Sequence, residues 1–377
     1  MDWLTAHEAL VVLGTQPQTL YANVSRGRIK AKRDPEDSRK SLYRGDDVRR
    51  LAQRAAGRRK QDAVAAQAMQ WGDPVLRTSI STVANGRLLY RGQDACELAE
   101  SAGLEDIAAL LWQAEGQLPA VASLDGSPGL TAAFVALARR AAETIPTVRP
   151  LAGLTHEAGL VLAILAQALT GDAPAGAMLH LRLAGRWERP AAADIIRRAL
   201  VLLADHELNA STFAARVAVS TGASLWAGAL AGLATLNGPR HGLASREVAA
   251  LAEDIGHAPD SAEAALRDWL GEGRQVPGMG HRLYPDGDVR AEALLAQFEL
   301  PAGFARLREA GEAITGERPN VDFALAAMAA AFDLPADAPL TLFAMARCIG
   351  WLAHGLEQVQ SGQEIRPRAQ YAGVGAS

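Results

Sequence analysis

Two histidines and an aspartate stand at Gly- or Pro-marked breaks in this chain, 40 and 41 positions apart. His241 lies in Asn237–Val248, NGPRHGLASREV, directly after the apolar stretch Thr221–Leu236. Gly238 and Pro239 cannot carry a helix onward, so His241 is expected at a helix end facing a cleft. His281 follows a second break, Pro277-Gly278-Met279-Gly280, and Asp322 follows a third, Pro319-Asn320-Val321. A carboxylate can take a proton, and a neutral imidazole N–H can steady a developing oxyanion. Any one of these residues alone reads as an ordinary turn residue; their repetition argues for one acid/base site. Asn320 is placed to cap a helix that has Asp322 in its first turn, where the dipole favours an ionised carboxylate.

Arg347 is the second signal. It sits in an apolar helical stretch, Leu340–Leu352, among Leu342, Phe343, Met345, Ile349 and Trp351. A buried Arg without a partner costs several kcal/mol. No acid lies three or four positions away on either side. Its partner is either an anionic ligand or a carboxylate from elsewhere in the fold. Arg290 and Arg366 offer further bidentate forks for carboxylates.

The motifs GPRHGLASREV, PGMGHRLYPDGDVR, PNVDFALA, LFAMARCIGWLAH and RPRAQYAG occur in order. Together they resemble the citrate synthase family, from about Val75 to Tyr371. The resemblance implies condensation of acetyl-CoA with oxaloacetate to citrate and CoA, through an enolate at the thioester. It gives Asp322 the role of base, His241 that of hydrogen-bond donor to the enolate oxygen, and His281 that of acid for the oxo-acid carbonyl. His206, in the DHExN segment Asp205–Asn209, would bind the oxo-acid with Arg290, Arg347 and Arg366, the last from a partner subunit. Val276, Gly278, Gly280 and Asn320 would meet the acyl-CoA. A homodimer is implied and no cofactor, acyl-CoA being a substrate. Two alternatives stand: 2-methylcitrate synthesis from propionyl-CoA, or a DNA-binding regulator whose body senses oxo-acid or acyl-CoA. Ser245, Arg246 and Val289 depart from the family pattern, Val289 loosening the backbone before Arg290. The stretch Pro119–Ala192 is shorter and richer in Ala and Gly than is usual in the family.

The elements that must position these residues are expected to be helices. The chain has 377 residues, 49% hydrophobic and only 5% aromatic, so its core is built from Ala, Leu, Val and Ile. The expected body is almost all-α, with a large part (61–240 and 344–377), a small part (241–343) and a minor β-hairpin at Asn85-Gly86. No signal peptide is recognised and no membrane span is expected. Cys96 and Cys348 lack metal spacing and no histidine pair has ligand spacing, so no metal is expected. A cytoplasmic location follows from that reading.

Residues 1–60 differ from the rest. They hold 14 Lys/Arg against 7 Asp/Glu, a net +7, on a body of net −11. Thr5–Glu8 and Thr15–Gln18 read as helix-starting capping boxes around Gly14, and Ile29–Tyr43 as a hairpin or wing. A third helix starts at Asp46-Asp47. The segment resembles a MerR/excisionase-type winged helix-turn-helix. Arg26, Arg28, Lys30, Arg39 and Lys40 would meet DNA phosphates, and Gln18, Thr19, Tyr21 and Asn23 would lie nearest the bases. Residues 55–70 read as a helical linker.

Overall fold

A computed structural model describes residues 2–13, 17–35, 41–52, 76–114, 118–144, 150–174, 176–257, 262–271 and 274–369. The chain divides into two compact units, Met1–Arg77 with Arg368–Ser377, and Thr78–Pro367.

In the first unit the elements are β1 (Trp3–Leu4), α1 (Ala6–Leu13), α2 (Pro17–Ser25), β2 (Ala31–Arg33), β3 (Ser41–Arg44) and a helix over residues 45–52, α3. The first capping box is made: Thr5 N–H donates to Glu8 Oε2 at 2.8 Å, and Glu8 N–H to Thr5 Oγ1 at 3.3 Å. The second falls partly outside the described residues, as do Arg39, Lys40 and the 55–70 linker. β2 and β3 pair antiparallel, with Ala31 opposite Tyr43, and β1 flanks β3. Ala9, Leu20, Ile29, Tyr43 and Val48 form the small core. Arg26, Arg28 and Lys30 are exposed. Asn23 is not free to read bases: it is buried, and its Nδ2 donates to the Thr19 carbonyl at 2.8 Å.

The second unit opens with the expected hairpin, β4 (Ser81–Ala84) and β5 (Arg87–Tyr90), extended by β6 (Gln93–Asp94). Asn85 (φ 52°) and Gly86 (φ 74°) take the left-handed conformation that a two-residue hairpin turn demands. Helices follow throughout: α4 (Ala95–Ala99), α5 (Leu104–Trp112), α6 (Leu130–Glu143), α7 (Leu151–Thr170), α8 (Leu179–Arg186) and α9 (Ala193–Leu203). Then come α10 (Ala210–Ser220), α11 (Leu225–Leu236), α12 (Ala244–His257), α13 (Ala262–Gly271), α14 (Val289–Leu295), α15 (Ala302–Thr315), α16 (Val321–Ala331) and α17 (Ala338–Ser361).

α7 is long and apolar enough to cross a membrane by length and composition, with a mean hydropathy of 1.4. Two-thirds of it is buried inside the protein, where it packs against α6, α11 and α17. The central element is α17, buried over most of its 24 residues and packed by α5, α7, α9, α10 and α11.

Two hydrophobic cores organise this unit. The larger surrounds α17; the smaller gathers Val248, Leu251, Ile255, Phe304 and Leu307. α16 serves both, giving Val321, Ala324, Leu325 and Met328 to one and Phe323, Ala326 and Ala327 to the other. The turn carrying His241 joins α11, in the large core, to α12, in the small one. Where the two cores meet, the three breaks of the sequence come to lie.

Candidate active site

α11 ends at its C-cap Asn237, and the turn over 238–243 closes through Gly242 N–H to the Leu236 carbonyl at 2.9 Å. A Cβ on Gly242 would meet that carbonyl at 2.6 Å, so only glycine permits the turn. This sets His241 with Nε2 2.9 Å from Ser211 Oγ. Ser211 also accepts from Trp351 Nε1–H at 3.1 Å, and its own proton has a second acceptor in Asn209 Oδ1 at 2.7 Å. Burial, with Arg347 nearby, pushes the His241 imidazole down to about 4, so it is neutral at neutral pH.

His281 lies beside the paired segments 278–280 and 318–320. Gly280 N–H donates to the Arg318 carbonyl and Asn320 N–H to the Gly278 carbonyl, each at 2.8 Å. Gly278 (φ 75°) and Gly280 (φ 69°) are left-handed. A Cβ on Gly278 would strike Val248 at 2.7 Å, and one on Gly280 would strike Glu317. The close approach these glycines permit is therefore to the protein itself. Val276 is buried in the small core. Leu283 N–H donates to His281 Nδ1 at 3.2 Å, which places the ring proton on Nε2. Burial, then Arg290, lowers His281 to about 4.

His206 follows α9 and is buried. Its Nε2 is 3.0 Å from the Tyr284 hydroxyl, and its ring meets His281 edge-on at 5.2 Å. Burial drives its pKa well down, with Arg290, Arg347, His281 and His241 adding to the effect.

Asn320 caps α16 as expected, accepting from Asp322 N–H at 3.0 Å and Phe323 N–H at 3.4 Å. The expectation that the dipole keeps Asp322 ionised is corrected. Its Oδ1 is buried without a hydrogen-bond partner among the described residues. That desolvation outweighs Arg290 and Arg347 and pushes the carboxyl up to about 7.

The arginines differ from one another. Arg290 is buried, and its Nε and Nη2 already fork onto Asp288 at 2.9 and 2.8 Å. Asp288 caps α14 by accepting from Arg290 N–H at 3.1 Å, and also accepts from Val321 N–H at 3.0 Å. The backbone before Arg290 is thus pinned rather than loosened by Val289. Arg347 is 2% exposed, and its Nε donates to the Leu203 carbonyl at 2.8 Å. No carboxylate among the described residues forms an ion pair with it within 4.0 Å. Burial lowers it to about 10, with Asp205 opposing.

Arg366 is exposed, next to Ile365, whose N–H donates to Ser220 Oγ at 3.1 Å. Ser220 ends the helix near whose start Ser211 meets His241, and no hydrogen bond or ion pair among the described residues joins Arg366 to the other candidate residues. Of the two departures noted at the His241 motif, Ser245 is buried and Arg246 exposed. A cavity of about 410 Å³ between Arg91, Trp112, Thr155 and Glu357 shares none of the candidate residues.

Reading the sequence missed Tyr284, Ser211, Trp351 and Asp288. Asp288 alone had a local signal, an Asp two positions before an Arg at a helix start.

Residues 129–368 match the family model described as citrate synthase, C-terminal domain. The chain is 30% identical over 348 residues to citrate synthase 2 of Bacillus subtilis, covering 78% of this chain and 93% of that one. It is 35% identical over 196 residues to 2-methylcitrate synthase 2 of Corynebacterium glutamicum, 49% of this chain and 50% of that one. The crystal structure of citrate synthase from Thermotoga maritima MSB8 matches with a TM-score of 0.66 at 27% identity, over 82% of this chain and 97% of that one.

Proposed function

The chain belongs to the citrate synthase family, and on that premise we propose that it condenses acetyl-CoA with oxaloacetate, releasing citrate and free CoA. The observation that carries this is the Asp322 carboxyl: its Oδ1 is buried and unpartnered, within electrostatic reach of two arginines. A carboxylate made more basic by burial is suited to a carbon acid as weak as a thioester. Asp322 takes the α-proton of the acyl group. His241 donates a hydrogen bond to the enolate oxygen; for this Ser211 O–H turns to Nε2, leaving the ring proton on Nδ1. The enolate carbon attacks the keto carbon of oxaloacetate, and His281 Nε2–H gives its proton to the keto oxygen. Water then cleaves the thioester of the condensed product.

Oxaloacetate is held by Arg347, by the part of Arg290 not engaged with Asp288, and by His206. Arg366, exposed and joined to none of the other candidate residues among the described residues, serves the site of a second copy, the working unit then being a homodimer. Val276, Gly278, Gly280 and Asn320 form the wall toward the acyl-CoA. The likeness to 2-methylcitrate synthase 2 supports a second acyl donor, propionyl-CoA. Release of CoA thiol with each donor, in the presence of oxaloacetate, tests both readings. No thiol release with either would overturn the assignment.

Residues 2–52 carry a separate role. Two helices, an antiparallel hairpin and a third helix, with Arg26, Arg28 and Lys30 exposed beyond α2, support a winged helix-turn-helix that binds duplex DNA.

A further inference from the structure

α17 presents one stripe at positions 347, 350, 354 and 358, spaced as one helix face requires. Arg347 reaches Leu203, the last residue of α9, and His354 reaches Asp205 just beyond it. Gly350 between them has no room for a side chain, since a Cβ there would strike Asp205 Oδ1 and the Ala204 carbonyl. His354 Nε2 lies 3.1 Å from Asp205 Oδ2, and its Nδ1 lies 3.2 Å from Arg216 Nη1. A guanidinium can only donate, so Nδ1 accepts and the ring proton sits on Nε2, directed at Asp205. Arg216 is itself fixed by Gln358 Oε1 at 2.9 Å and Glu357 Oε2 at 2.8 Å. Ser81 O–H also donates to Asp205 Oδ2, at 2.5 Å, while accepting from Glu207 N–H.

Asp205 and His354 are wholly buried. Two donors converge on Asp205 Oδ2, yet Oδ1 is buried with no hydrogen-bond partner among the described residues. A fold that needed only hydrogen bonds here would be served as well by an amide, without burying a charge. Beyond His354 and Arg216, the charge also acts on Arg347, whose Nε is tied to Leu203, two residues before Asp205.

We propose that Asp205 is a positioning residue for oxo-acid binding: a fixed, buried negative charge, held by His354 and Ser81, that balances the Arg347 guanidinium without occupying its N–H groups. Those groups stay available to a substrate carboxylate. Arg216 locks the tautomer of His354, so that it donates rather than accepts at Asp205. The inference rests on the reading of Arg347 as an oxo-acid ligand. The charged and titratable groups acting on Arg347 are Asp205 and His206 after α9, Arg290 on α14, Tyr90 on β5, Tyr284 in the 281–288 loop, Asp322 on α16 and His241 before α12. Asp205 is the carboxylate placed to keep it charged, against burial and against Arg290.

The test is the pH dependence of kcat and of KM for oxaloacetate, measured on full-length protein. Asp205→Asn is expected to raise KM for oxaloacetate about tenfold or more, with kcat changed far less. Arg347 then loses its proton at lower pH, so the alkaline limb of kcat/KM moves down in pH. Trp112→Phe is the control: the Trp112 indole N–H donates to the Ile349 carbonyl of α17 at 3.0 Å, so its loss should lower the melting temperature and leave that limb in place. His354→Gln keeps a donor for Asp205 and should stay near wild type, whereas His354→Leu should follow Asp205→Asn. An unshifted KM and alkaline limb in Asp205→Asn, or shifts no larger than those of Trp112→Phe, would overturn the proposal. If Asp205→Asn fails to fold, the two His354 variants decide on the same readouts. Wild-type oxaloacetate affinity in Arg347→Leu would instead sink the functional reading beneath it.

Discussion

The Asn320 side-chain amide donates to the Gly280 carbonyl at 2.9 Å, 40 residues back in the chain. The same side chain caps α16 through Asp322 N–H. One residue therefore fixes the start of the helix that carries the base and the backbone next to His281. Asn320→Ala removes both. It is expected to cost about 1–2 kcal/mol of stability, and to lower kcat more than a cap loss on a remote helix does. Equal losses of kcat in Asn320→Ala and in a remote cap variant such as Thr5→Ala would argue against a shared anchor.

Asp322→Asn should separate stability from function. The folded carboxyl is raised from 3.8 to about 7, so it favours the fold while protonated, and that contribution is lost as pH rises through about 7. The amide avoids this cost. Asp322→Asn is expected to melt higher than wild type at pH above 7 and nearly alike at pH below 4, with CoA release abolished and oxaloacetate still bound. A lower melting temperature at every pH would show that the carboxylate stabilises the fold.

His241 and His281, both depressed to about 4, act in the opposite sense. They stay neutral in the folded protein while unfolded histidine titrates near pH 6.5. Their contribution is complete above about pH 6.5 and is lost as pH falls toward 4. Thermal melts across that window should show a steep loss in wild type, reduced in His241→Gln. A flat profile would contradict the buried, neutral imidazoles.

These relationships show how far the sequence could be read. Breaks and caps are local: Gly238-Pro239, Asn85-Gly86 and Asn320 are recognisable within a few residues, and each falls where expected. Arg347 was recognisable as a buried cation from its apolar neighbours alone. Its surroundings were not, because Asp205 and His354 meet across 149 positions, and His206 and Tyr284 across 78. Asp322 was misjudged for the same reason. The helix dipole is local, whereas the burial that outweighs it is built by packing between distant segments. α7 is long and apolar enough to cross a membrane by length and composition, and what distinguishes it from a membrane helix is the packing around it.

The basic head makes an independent prediction. Arg26→Ala combined with Arg28→Ala should weaken binding of duplex DNA by the full-length protein and flatten its salt dependence by about two phosphate contacts. CoA release should be unaffected. DNA retention equal to wild type at low salt would remove the phosphate role from these residues.

The central claim is that Asp322, His241 and His281 form one site for carbon–carbon bond formation at a thioester. Its most direct test is the release of CoA thiol from acetyl-CoA, with and without oxaloacetate, by wild type and by Asp322→Asn. The account predicts oxaloacetate-dependent thiol release by wild type, with citrate formed in equal amount, and none above background by Asp322→Asn. Thiol release that does not require oxaloacetate, or that survives in Asp322→Asn, would contradict it.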